Sequence, residues 1–193
     1  MFKIGDKIVY PMHGAGTIIG IETKKILGQT HEYYILSIPV GDMKVMIPTD
    51  NLDEIGIRDV STETEADEVI DVFKTCEEEV TENNWNKRYR DNIERMKKGD
   101  LADIARITKS LLLKDRKKSL SNAERKMLNN AKQILVSELV LAEHATQDEV
   151  EELVDNKINT SFAMFKTDTN MEVSTGSIVN KFIPFDNNSS QND

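Results

Sequence analysis

A change of hydrophobic period near residue 60 constrains this chain more than any other feature. Before it, apolar residues come in short β-rich runs broken by Gly, Pro and Asp; after it, they recur three and four residues apart. Lys7-Ile8-Val9-Tyr10 is the first run and stops at Pro11, which has no amide to give a ladder. A turn is expected at His13-Gly14-Ala15-Gly16, then a strand over Thr17–Thr23 and a second turn at Gly28-Gln29-Thr30. His31–Ile38 and Met43–Ile47 follow, separated by Gly41-Asp42 and closed by Pro48. Four or five strands in under 60 residues predict a small, strongly bent antiparallel barrel.

Beyond residue 60 the reading is all helical, which makes the fold class α+β. Thr62 and Glu65 fit a capping box ahead of Ala66, Val69, Ile70, Phe73 and Cys76 on one face. Trp85, Tyr89, Ile93 and Met96 line a second helix that stops at Gly99, and Leu101, Ile104, Ala105, Thr108, Leu111 and Leu112 mark a third. Ser121 and Glu124 form another capping box, opening the longest helix through Leu139. A short acidic helix around 147–157 is expected to end the folded part. The expected units are 1–57, 58–157 and a disordered tail, 158–193, rich in Asn, Ser and Thr.

Charge separates these regions sharply. The formal net charge is -9, yet residues 83–126 hold 14 basic and 6 acidic side chains, whereas residues 58–82 hold 2 and 10. A basic block within an acidic chain is either a solvated helical face or an electrostatic footprint for nucleic acid. No run is apolar enough for a membrane span, the stretch MFKIGDKIVY has neither the apolar run nor the cleavage pattern expected of a signal peptide, and the lone Cys76 has no internal disulfide partner. A cytoplasmic protein is expected.

Enzyme chemistry is missing from the sequence. His13, His31 and His144 lack metal-ligand spacing, and neither a phosphate loop nor a dinucleotide-type glycine pattern is present. His13-Gly14-Ala15-Gly16 has no nucleophile elbow to serve, and Cys76 falls on an apolar helical face. No catalytic residue, metal or cofactor is expected.

The informative stretch is Asn83-Asn84-Trp85-Asn86-Lys87-Arg88-Tyr89-Arg90, which places the only tryptophan at a helix start among cations and amides. Cations neutralise phosphates, amides reach base edges, and an aromatic at a helix tip stacks on or wedges between bases. The spacing of Trp85, Tyr89, Ile93 and Met96 equally describes a core stripe, and pattern alone favours the core. A second cluster, Lys114, Arg116, Lys117 and Lys118, precedes the Ser121 cap, with Arg125 and Lys126 one turn later.

In GDKIVYPMHGAG, IPTDNLDEIGIRDV, NWNKRYRDN and LSNAERKMLNNAKQILVSELVLAE, the chain resembles the CarD/CdnL family of bacterial RNA polymerase-binding transcription regulators. The resemblance runs to about residue 157; GDKIVYP alone is also shared with transcription-repair coupling factors. It implies a Tudor-like, SH3-like head that binds the polymerase β subunit, and a helical unit that contacts promoter DNA at the upstream edge of the melted bubble. It makes Trp85 a minor-groove wedge instead of a core residue, with Lys87, Arg88, Arg90 and Arg125 at DNA-facing positions. Lys24, Ile26 and Met46 fall where the family contacts polymerase. Some relatives carry arginine at the positions of Lys24 and Met46, so the contact here is expected to be more apolar or to use a free strand edge. The expected protein is a monomer that stabilises the open promoter complex and associates with the nucleoid through polymerase. The alternative is a polymerase-bound protein–protein adaptor without direct DNA contact. The tail beyond 157 lies outside the resemblance.

Overall fold

The computed structural model describes residues 2–74 and 84–179, with side chains at all of these except 85 and 165–179. Five strands open the chain: β1 (Lys7–Tyr10), β2 (Gly14–Ile26), β3 (Gln29–Ile38), β4 (Met43–Pro48) and β5 (Arg58–Asp59), with a one-turn helix α1 (Leu52–Ile55) before the last. They form one antiparallel sheet in the order β4-β3-β2-β1-β5. The expected barrel is therefore a bent sheet with two edges. Closure fails because β5 is only two residues long and pairs with Ile8 and Val9 of β1 alone. Because Arg58 and Asp59 belong to this sheet, the strand-rich unit also runs past the expected boundary at 57.

The first turn sits earlier than glycine spacing suggests. It spans Pro11–His13, with Met12 at φ 67, and Gly14, Ala15 and Gly16 are already strand. These glycines answer to packing. A Cβ on Gly16 would lie 2.5 Å from the carbonyl oxygen of Ser37 on β3, and one on Gly14 would lie 2.4 Å from Ser137 Oγ. At the other end of β2, Leu27 (φ 51) and Gly28 (φ 85) make a two-residue turn, because Ile26 pairs directly with Gln29. Positive φ at both positions matches the strand twist.

Helices α2 (Glu63–Asp71), α3 (Trp85–Lys98), α4 (Leu101–Lys117), α5 (Asn122–Ala142) and α6 (Gln147–Val179) follow. Both capping boxes form: Thr62 with Glu65, and Ser121 with Glu124. Phe73 is fully buried in a 3-10 turn after α2, while Cys76 lies outside the described residues. The core of this unit joins Ile70 and Phe73 to Met96 of α3, Ile104 and Leu113 of α4, and Ala131, Ile134, Leu135 and Leu139 of α5.

The expected disordered tail is overturned over 158–179, where the chain continues as α6. Val150, Val154 and Ile158 form a buried stripe that Ser161 extends, and Phe162 packs half-buried against the same core. Thr, Asn and Ser are weak helix formers, but tertiary burial of one face outweighs propensity. Residues from 180 on lie outside the described residues.

The two units share a tight seam. Arg58 Nη1 and Nη2 donate to the two carboxylate oxygens of Glu138 at 2.6 and 2.8 Å, and Arg58 Nε and Nη2 also donate to the Gly99 carbonyl. Ser61 adds its amide and hydroxyl to Glu138, which is 0% exposed. The Ala15 amide donates to Ser137 Oγ at 2.9 Å, and Lys7 Nζ donates to the Leu141 carbonyl at 3.0 Å. Lys7 thereby places a cation where the last carbonyls of α5 concentrate negative charge.

Candidate nucleic-acid interface

Asn84 caps α3: its side-chain oxygen accepts the amides of Asn86 and Lys87 at 3.0 and 3.3 Å. That cap makes Trp85 the first residue of the helix. The side chain of Trp85 lies outside the described ones. Further along, Tyr89 and Ile93 are half-buried and Met96 is fully buried, so the stripe enters the core at its C-terminal end, while Asn84, Asn86, Lys87 and Arg90 are exposed. Arg90 Nε folds back onto the Asn86 carbonyl at 3.3 Å.

Glu124 ties this helix start to the second basic cluster. The carboxylate is 6% exposed and accepts the Ser121 amide and hydroxyl at 3.1 and 2.9 Å on Oε2. Its Oε1 takes Lys114 Nζ at 2.5 Å and faces Arg88 Nη2 at 3.9 Å. Burial pushes the carboxyl up, but the hydrogen bonds from Lys114 and Ser121 outweigh it and hold Glu124 below the usual carboxylate value. Arg125 stands on the next position of α5, with Nη2 4.0 Å from Asp115 Oδ1 and its side chain more than half exposed. One buried anion therefore gathers cations from α3 and α4 at the N-terminus of α5. Capping geometry is visible in the sequence at Ser121 and Glu124; the second function of Glu124 is not, because Arg88 is distant in the chain.

Of the residues expected to face DNA, Arg88 and Arg125 share this corner with Lys114, and Lys87 and Arg90 lie on the exposed part of α3's first turns. On the sheet, Lys24 Nζ approaches Met46 Sδ at 3.1 Å and Glu22 at 3.7 Å. Ile26 lies two residues from Lys24 on the same face of β2 and is about half exposed. Met46 belongs to β4, an edge of the sheet. The three residues expected to contact polymerase thus occupy one end of the sheet. Leu27, missed by spacing, is 100% exposed at the adjoining turn.

A cleft of about 620 Å³ lies beside the seam, and among its ionic groups Arg58 pairs with Glu138, Arg106 with Asp103, and Glu65 with the Thr62 cap. Among the described residues there is no group of three His, Cys, Asp or Glu side chains placed to hold a metal ion. No helix there is long and apolar enough to cross a membrane.

An open antiparallel sheet is joined to a helical unit that carries a basic corner. Residues 2–61 match the family model for the CarD-like/TRCF RID domain, and residues 68–155 match that for the CarD C-terminal domain. The chain is 35% identical over 150 residues to the "Putative transcription factor YdeB" of Bacillus subtilis (strain 168); the match covers 78% of this chain and 97% of YdeB. It is also 38% identical over 53 residues to the transcription-repair-coupling factor of Staphylococcus aureus (strain USA300), covering 28% of this chain and 4% of that protein. The chain belongs to the CarD/CdnL family of transcription factors.

Proposed function

We propose that this protein docks on the RNA polymerase β subunit through its sheet and stabilises the open promoter complex through its helical unit. The polymerase half is supported by the match of residues 2–61 to a domain type that, in transcription-repair coupling factors, interacts with that subunit. One observation carries the DNA half: Trp85 begins a capped helix beside the Arg88–Glu124–Lys114 corner. Lys87, Arg88, Arg90 and Arg125 then hold phosphates near the upstream fork, and Trp85 occupies the distorted minor groove. Bubble collapse must first expel the indole. A preference of about 1.4 kcal/mol for the open state changes that equilibrium roughly tenfold.

Tethering lets a small cationic face suffice in an acidic chain, because docking raises its effective concentration at promoters. No catalytic step is involved, and the action is that of a cytoplasmic monomer carried to the nucleoid by polymerase. The lifetime of open complexes with polymerase alone, with wild type and with Trp85→Ala tests the reading. A longer lifetime that vanishes with Trp85→Ala is the expected result. Equal lifetimes in all three, with the protein retained on polymerase, would remove the wedge and leave an adaptor.

A further inference from the structure

Arg116 belongs by sequence to the second basic cluster, in the last turn of α4 with Lys114 and Lys117. Its guanidinium carbon sits 5.7 Å from the centroid of the Phe162 ring on α6. Its Nη1 is buried and has no hydrogen-bond partner among the described residues. Phe162 lies beyond residue 155, where the CarD C-terminal model ends, on the helix that Ile158 and Ser161 fasten to the body.

We propose that this contact restrains the DNA-facing corner: the segment after the family domain, acting through Phe162, withholds the charge of Arg116 from phosphate. The inference rests on the DNA-facing reading above and concerns its regulation. An aromatic face attracts a guanidinium but supplies no in-plane acceptor for its N–H groups. Burying such a donor unpaired is unfavourable, and a phosphate oxygen would satisfy it. The arrangement therefore has two alternatives for one cation, the ring or the backbone of DNA, and α6 selects the ring. Lys114, by contrast, is held at the corner itself by Glu124.

The test is the salt dependence with which the full chain binds a polymerase–promoter complex. Phe162→Leu keeps apolar volume and removes the aromatic face. It is expected to steepen the log–log salt slope by about 0.9, one added phosphate contact, or about 3.5-fold across a fourfold change in salt. Phe162→Leu combined with Arg116→Gln returns the slope to the wild-type value. An unchanged slope in Phe162→Leu, or a gain that survives in the double variant, overturns the restraint. Phe162→Met makes the same comparison should the leucine variant fail to fold. A wild type that polymerase retains but that shows no salt-dependent promoter contact overturns the DNA-facing reading itself, and the restraint with it.

Discussion

The two ends of strand β2 are built on opposite principles. At Gly14–Gly16 the backbone presses so closely on Ser137 and Ser37 that no Cβ fits, and the Ala15 amide is bound by a side chain of α5. At Ile26 and Leu27 the same hairpin carries apolar side chains into solvent, one of them at a left-handed φ of 51. The buried end joins the two units; the exposed end is where the polymerase contact is proposed. A strand that only completed a sheet would need neither feature. The seam continues at Arg58, whose pairing with a fully buried Glu138 is favourable only because Ser61 and the Gly99 carbonyl satisfy the remaining groups.

The largest effect should come from breaking that seam. Glu138→Ala leaves Arg58 without its anion and is expected to destabilise the fold by about 3–5 kcal/mol, read from chemical denaturation. Gly16→Ala should cost about 1–3 kcal/mol by the same measurement, because Ser37 backbone must yield. A cost near zero would show the buried end to be slack. Leu27→Asn, at the opposite end, should stabilise the fold by about 0.5–1 kcal/mol, since asparagine tolerates the left-handed turn. Ile26→Ala should change stability by less than about 0.5 kcal/mol yet weaken retention on polymerase in a pull-down. Retention at the wild-type level would remove the exposed end from the docking surface.

Two carboxyls sharpen the comparison through pH. Glu124 is held below its ordinary value, so the stability it contributes is in place above the unfolded carboxylate pKa and is lost as pH falls through the folded one. Glu143 behaves oppositely. Burial first, then the charges of Asp67 and Glu63, raise it, so its contribution is present below the unfolded pKa and lost as pH rises through the folded value. Glu143→Gln should therefore raise the melting temperature near neutral pH, with the gain shrinking under acid conditions.

Much of the fold was legible where local rules suffice. The run Lys7–Tyr10 is β1 residue for residue, and both capping boxes formed where Thr62-x-x-Glu65 and Ser121-x-x-Glu124 stand. Glycine spacing misled at His13–Gly16, because those glycines permit close packing instead of a turn. Polar composition misled after 157, because Ile158, Ser161 and Phe162 dock on the body. The site was half legible: residue types marked two basic clusters, but not that Glu124 joins them or that Arg116 of one of them meets Phe162.

By itself the sequence determined the α+β order, the helix starts and the family, since alternation, capping and motif spacing depend on neighbours a few residues apart. Only the tertiary structure decided that the sheet stays open, that Arg58 meets Glu138 80 residues away, and which cations share one carboxylate. Those outcomes depend on where the chain's path brings distant groups together and which buried charges then find partners, and no local pattern encodes either.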